Sequence, residues 1–219
     1  MQHDQKKMES YYRARANEYD NIYLKPERQK DLDKIRVWVS DKFARYKVLE
    51  IACGTGYWTQ IMASVADRIL AIDSSEEVLS IAKERVSSES VAFEVGDAYN
   101  LKSTGNLFNA SFSGFWISHV LREDRRDFLK GLATELNDGA KIVFLDNTYV
   151  HGSSTPISDK DKEGNTYQTR LLNDGSKHKL LKNFPGESEL LTCIEGLGCN
   201  PIFTQWEYYW AFEYESIKP

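Results

Sequence analysis

The stretch Val48-Leu-Glu-Ile-Ala-Cys-Gly-Thr-Gly-Tyr-Trp-Thr59 joins an aliphatic run to a turn of small residues and then to the start of a helical pattern. A strand that ends in such a turn lets a ligand approach the backbone, and parallel sheets bind ligands at the carboxyl ends of their strands. A dinucleotide loop would carry a third glycine three residues after Gly56, but Thr59 stands there, and Tyr57 and Trp58 make the turn bulkier still. The loop suits a ligand without a pyrophosphate better than it suits NAD.

Two acids extend the pattern. Asp73 ends the next aliphatic run, 19 residues after Gly54, where a carboxylate can accept both hydroxyls of a ribose. Asp97 follows Gly96 at the end of a third run, 24 residues further on, where an acceptor meets an adenine amino group. Either acid alone reads as a helix cap; glycine loop, ribose acid and adenine acid on three successive strand tips make an ordered set.

Strands are predicted at Lys47–Ile51, Arg68–Ile72, Val91–Val95, Asn109–Phe115 and Ala140–Leu145, with helices at Tyr57–Val65, Ser75–Val86 and Glu123–Leu136 between most of them. This alternation specifies an α/β fold with a mostly parallel sheet and right-handed crossovers. Ser74-Ser75-Glu76-Glu77 supplies a cap and first-turn acids for the second helix. Residues 5–44 read as two helices broken near Lys25-Pro26, forming an N-terminal helical cap over the ligand end of the sheet. Late in the chain come a helix near Glu187–Leu197 and two β-rich runs, Ile202–Trp206 and Tyr208–Tyr214, which would close the sheet with an antiparallel edge.

The segment Thr148–Phe184 is too long for an ordinary strand-to-helix connection and is read as an insertion on the substrate side of one domain spanning 1–219. Within it, Asn165–Leu172 and Ser176–Asn183 flank Asn173-Asp174-Gly175, a three-residue hairpin loop with glycine in the left-handed position. That loop sets Arg170 opposite His178, with Lys182 on the same face; a two-residue Asp174-Gly175 turn would set Arg170 against Lys179 instead. Like charges facing one another favour an anion between them, although a solvated hairpin with scattered charges reads equally well.

The 219 residues are 41% hydrophobic and carry a formal charge of −5, which removes the general driving force for nucleic-acid binding. Cys53, Cys193 and Cys199 form no CxxC pair, so neither a zinc site nor a disulfide framework is suggested, and Cys53 reads as a small side chain in a tight loop. No apolar run approaches the roughly 18 residues a membrane span requires. The expectation is a cytoplasmic protein without membrane or nucleic-acid partners, its oligomeric state unspecified.

These residues resemble the class I S-adenosylmethionine-dependent methyltransferases, with Glu50-Ile-Ala-Cys-Gly-Thr-Gly as motif I, Asp73 as the ribose acid and Gly96-Asp97-Ala98 as the adenine motif. Ala52 stands where many members have glycine. Tyr11-Tyr-Arg-Ala-Arg-Ala-Asn-Glu-Tyr-Asp20 and Phe115-Trp-Ile-Ser-His-Val120 are similar to a narrower group of bacterial small-molecule enzymes that includes phosphonate O-methyltransferases. The resemblance implies a Rossmann-like seven-stranded sheet and S-adenosylmethionine as cofactor, leaving S-adenosylhomocysteine. It implies cofactor contacts from Tyr12, Arg15, Glu50, Ala52, Gly54, Gly56, Asp73, Ser74, Asp97, Ala98 and Phe115. Tyr12, Arg15 and Tyr19 share one helical face, which is either core packing or a lid over the methionine end of the cofactor.

For the acceptor, the reading is an anionic oxygen, phosphonate or carboxylate, of a small molecule in specialised metabolism. Such an oxygen is already ionised and needs cations to orient it, whereas a phenol needs a base. Arg170 and Lys182 would supply the charge, His119 would act on the acceptor, and Tyr23 and Trp116 would wall the pocket. Methylation of a phenol or amine with His119 as base, and a sensor that binds the cofactor without turnover, are the alternatives. Asp146-Asn147 is similar to the metal pair of catechol-type enzymes, but Ser113-Gly-Phe-Trp-Ile117 lacks their further acid, so no metal is expected.

Overall fold

Strand and helix alternate as the sequence requires, up to the insertion. A computed structural model describes residues 11, 15–101, 108–172 and 175–218. In chain order the strands are β1 (Lys47–Ile51), β2 (Arg68–Asp73), β3 (Val91–Val95), β4 (Phe108–Gly114) and β5 (Leu136–Asn147). After them come β6 (Ile157–Lys160), β7 (Thr166–Leu171), β8 (Lys177–Leu181), β9 (Gly198–Gln205) and β10 (Tyr209–Ser216). The α-helices are α1 (Gln29–Phe43), α2 (Tyr57–Met62), α3 (Glu76–Arg85), α4 (Arg125–Thr134) and α5 (Glu187–Ile194).

Seven strands form one sheet in the order β3-β2-β1-β4-β5-β10-β9. The first five are parallel, and β10 lies antiparallel between β5 and β9. Helices cover both faces, so the central strands β1 and β4 are buried along most of their length rather than on alternate residues. On one side Val48, Phe112 and Val143 pack with the α1 stripe Leu32, Ile35, Val39 and Phe43. On the other, Leu49, Ile51 and Phe144 pack with Phe128 and Leu132 of α4. The β1 tip is thereby clamped between two cores.

The second helix starts where its cap predicts: Ser75 Oγ accepts from the Val78 N–H at 3.3 Å, with Glu76 and Glu77 in the first turn and Lys83 and Arg85 in the last. Other elements depart from expectation. Before the break at Lys25-Pro26 the chain forms a 3-10 helix, Ala16–Tyr23, instead of an α-helix. Asp20 and Asn21 are weak helix formers, and Asp20 is tied to the body of the protein instead. The predicted helix over 123–136 stops at Thr134, because Leu136 already pairs with Phe108 at the start of a twelve-residue β5. Phe115 lies beyond β4, with φ 63.

Within the insertion the hairpin has the three-residue register, Arg170 opposite Lys177's neighbour His178 and Thr169 opposite Lys179. Residues 173 and 174 of its loop lie outside the described residues. The short β6 adds a third antiparallel strand on the β7 side. Its residues Ile157, Ser158, Asp159 and Lys160 are all exposed, so no apolar alternation marked it in the sequence.

Gly56, with φ +76, begins α2 where a Cβ would come within 3.1 Å of the Ala82 Cβ and 3.2 Å of the Ala82 Cα on α3. Gly56→Ala should therefore lower stability by about 1–3 kcal/mol in denaturant titration. A wild-type midpoint in that variant would show that α2 and α3 part freely.

Candidate active site

The tips of β1, β2, β3 and β4 surround a cavity of about 80 Å³ lined by Ala52, Gly54, Asp73, Ser74, Asp97, Ala98, Phe115, Trp116 and His119, with Tyr19 across its mouth. The backbone of the first turn is bent by left-handed residues, Ala52 at φ 53, Gly54 at φ 57 and Gly56 at φ 76. Asp73 fixes it from the neighbouring strand: Oδ2 accepts from the Gly54 N–H at 2.9 Å and Oδ1 from the Ser75 N–H at 3.1 Å. Burial raises the Asp73 carboxyl above its ordinary range, and these backbone donors oppose that. A carboxylate has about four lone-pair positions, so these backbone donors leave it capacity to accept from a ribose hydroxyl. Asp97 Oδ1 accepts from the Tyr99 N–H at 2.9 Å, which sets its own turn.

Two of the predicted residues act from behind. Glu50 is 1% exposed and lines neither this cavity nor the larger one below; its Oε2 accepts from the Thr59 hydroxyl at 2.7 Å, bracing α2 against β1. Burial pushes its pKa up to about 8. Gly56 serves the packing of α2 on α3. Tyr12 lies outside the described residues.

A cover lies over the loop. The Tyr19 ring stands where a Cβ on Gly54 would meet it at 3.5 Å. Asp20 fastens the 3-10 segment, its Oδ1 accepting from the Thr55 hydroxyl at 2.6 Å and its Oδ2 pairing with Arg85, which also donates to Thr55 Oγ1 at 3.0 Å.

A second cavity, of about 390 Å³, opens on the far side of Tyr19, Phe115 and His119, which line both. Arg15, Lys25, Arg28, Arg170 and Lys182 line it, with Glu18 as its one carboxylate among the described residues. Arg15 belongs here and not to the first cavity: its Nη1 donates to the Tyr11 hydroxyl at 3.1 Å and its guanidinium lies 5.9 Å from the Tyr19 ring centre. Trp116 conversely belongs to the first cavity, where its buried indole N–H has no hydrogen-bond partner. Tyr23 lines neither. It is 4% exposed and stacks on Tyr57 at 3.5 Å between ring centres, forming the wall behind Phe115.

Lys182 lies one residue past β8 and is 3% exposed, its ammonium donating to Asp146 Oδ1 at 2.8 Å and the Ser118 hydroxyl at 2.6 Å. Burial alone would raise Asp146, but Lys182 and the donors around it hold it below the usual carboxylate range. Asp146 is thus the counter-ion of a lysine. Among the described residues no group of three or more His, Cys, Asp or Glu could hold a metal ion.

His119 Nδ1 lies 2.6 Å from the Leu181 carbonyl oxygen and so carries the proton of the neutral ring, leaving Nε2 as acceptor. Burial, then Lys182 and Arg170, hold its pKa well below the ordinary histidine value, so the ring is neutral near pH 7. Arg170 Nη2 donates to Gln168 Oε1 at 3.0 Å, and Gln168 in turn reaches the Thr155 carbonyl at 2.6 Å. The sequence reading missed Lys25, Arg28, Asn147 and Gln168. One signal was present: Arg28 falls on the stripe of Leu32, Ile35 and Val39, a basic residue at a core position.

The sequence family described as Methyltransferase domain matches residues 48–139. The solved DhpI–SAH complex is 25% identical with a TM-score of 0.79, covering 100% of both chains. The DhpI–SAM–HEP complex is 27% identical with a TM-score of 0.76, covering 96% of this chain and 97% of that one. The chain carries a methyltransferase domain and has the fold of the class I S-adenosylmethionine-dependent methyltransferases. Demethylmenaquinone methyltransferases of Bacillus cereus strain AH187 and Bacillus anthracis strain A0248 are each 26% identical over 141 residues. That match covers 61% of this chain and 59% of theirs. S-adenosylmethionine is the cofactor of this methyltransferase, and the residues of the first cavity fit it: carboxylates at Asp73 and Asp97, a bare backbone at Gly54, and an unmatched indole N–H at Trp116. No described helix is long and apolar enough to cross a membrane.

Because Glu50 is raised from about 4.3 in an unfolded chain to about 8 in the fold, the unfolded methyltransferase releases a proton that the folded one keeps. Stability then falls as pH rises through that window. Between pH 5.5 and 7.5 the wild type should lose about 2 kcal/mol more than Glu50→Gln does in denaturant titration. Parallel pH profiles for the two proteins would show that Glu50 is ionised in the fold.

Proposed function

We propose that this methyltransferase transfers a methyl group to an anionic oxygen, phosphonate or carboxylate, of a small molecule held in the larger cavity. The carrying observation is charge: among the described residues, five basic side chains and one carboxylate line a cavity that meets the first cavity at Tyr19, Phe115 and His119. S-adenosylmethionine supplies, when bound, a methyl group on a positively charged sulfur.

The protein's own task is to hold the acceptor oxygen in line and dry. Asp73 and Asp97 would hold the ribose and adenine ends, with Ala52, Gly54, Ser74 and Ala98 giving close backbone approach. Tyr19, fastened through Asp20, keeps water from the shared wall. In the 148–184 insertion, Arg170 and Lys182 orient the anion; Lys182 does so as half of an ion pair, hence as a weaker attractor than a lone ammonium. His119 is the catalytic residue of this reading: neutral, with Nε2 as acceptor, it takes a hydrogen bond from any hydroxyl the acceptor carries.

That neutral ring also supports a second reading, a phenol or amine acceptor with His119 as base. Acceptor charge separates the two. A sensor without turnover has no use for a second cavity beside the first.

Radiolabelled methyl transfer to a panel of small phosphonates, carboxylates, phenols and amines near pH 7.5 should give product with the acids. Arg170→Ala should then raise the acceptor KM by about tenfold or more, the size of a lost charge-assisted hydrogen bond. Product confined to phenols or amines would overturn the anionic reading.

A further inference from the structure

Of the basic side chains around the larger cavity, Lys182 already has a carboxylate beside it. Arg28 has none. It is 5% exposed, its Nε donates to the Ser153 hydroxyl at 3.0 Å, and its Nη1 donates to Asn147 Oδ1 at 3.0 Å. Its guanidinium carbon lies 5.3 Å from the Tyr208 ring centre and 5.6 Å from that of Tyr209. All four partners are neutral, and among the described residues no carboxylate comes within ion-pair distance of it. Glu27 touches it through Ser153, whose hydroxyl donates to Glu27 Oε1 at 2.7 Å, and its direct attraction to Arg28 is screened because Glu27 is exposed.

A buried charge is retained when something neutralises it, and an arginine cannot shed its proton to escape the cost. The neutral partners of Arg28 fix the plane of its fork without balancing it. Those hydrogen bonds reach two elements, Asn147 at the end of β5 and Ser153 at the start of the insertion. The surplus positive charge is felt nearby: burial lowers the pKa of Lys25 and Lys182, and Arg28 and Arg170 push both further down. Because Arg28 lines the cavity, the missing counter-ion is what the cavity takes up.

We propose that Arg28 is the specificity-determining residue for the acceptor, its remaining N–H donors closing on the anionic group as the charge this buried guanidinium lacks. The proposal rests on the anionic reading above and adds a residue to it from outside the insertion. Arg28 holds the group from the N-terminal cap side, Arg170 from the hairpin side, and the reacting oxygen lies toward His119 and Phe115.

The test is calorimetric titration of methylphosphonate into the full chain saturated with S-adenosylhomocysteine, for the wild type, Arg28→Gln and Arg28→Lys. Arg28→Gln keeps a donor for Asn147 or Ser153 but no charge. It should bind S-adenosylhomocysteine within about twofold of wild type and methylphosphonate about 10- to 100-fold more weakly, the range for hydrogen bonds to charged groups. A residue that only tied the cap to β5 would move the first affinity or the melting temperature and leave the second alone. Wild-type methylphosphonate affinity in Arg28→Gln would overturn the proposal while leaving the anionic reading intact. A wild type that binds no methylphosphonate or acetate yet methylates phenols would overturn that reading, and this proposal with it. Should Arg28→Gln fail to bind S-adenosylhomocysteine, Arg28→Lys decides: an ammonium cannot serve Ser153, Asn147 and an anion from one planar fork. It should lose about tenfold in methylphosphonate affinity, and wild-type affinity there would equally overturn the proposal.

Discussion

The buried pair of Asp146 and Lys182 is the contact on which the acceptor side depends. Asp146 is the penultimate residue of β5, the last strand before the insertion, and Lys182 directly follows the hairpin strand β8. Joining them brings the hairpin back over the sheet tip and closes a space that neither element encloses alone. Asp146 also accepts from the Ser118 N–H at 3.1 Å, which anchors the short 3-10 turn carrying His119. One carboxylate therefore places the hairpin and the histidine together. Removing either half of such a pair leaves an uncompensated charge, which costs about 3–5 kcal/mol, so Lys182 has a structural duty whatever it does for the acceptor.

The cofactor side rests on a different economy of contacts. Asp73 holds the first turn by two backbone donors, so the turn's shape depends on a neighbouring strand and not only on its own glycines. Ala52 and Phe115 occupy the left-handed region without being glycine, one after β1 and the other after β4. Such residues persist where surroundings dictate the backbone, and both line the cofactor cavity. Glu50, Thr59 and Gly56 lie below this surface and keep α2 in place. What reads in sequence as one motif is in space two layers, one facing the ligand and one carrying the load.

Most of the sheet, and several residues that line the first cavity, were legible in the sequence. Central strands buried on both faces leave short, largely apolar runs, and Gly54, Asp73 and Asp97 stand at readable spacing at the strand tips. The acceptor cavity was half legible. Arg170 could be placed by hairpin register, but whether Lys182 was free or paired depended on Asp146, 36 residues away. Tyr23 was assigned to the pocket because aromatic residues suit pocket walls and core alike; stacking on Tyr57 decided for the core. The 3-10 form of residues 16–23 was hidden because it follows from a tether to Thr55 and Arg85 that no local pattern reports.

Tyr19, Phe115 and His119 form a party wall between two chambers, and a shared wall has a thermodynamic meaning. Any shift in those three side chains that favours one occupant alters the welcome given to the other. By reciprocity, whatever factor a filled cofactor chamber applies to the acceptor's affinity, a filled acceptor chamber applies to the cofactor's. The coupling between the two chambers is thus carried by three side chains, and the tightness of one occupant cannot be altered through them without altering that of the other.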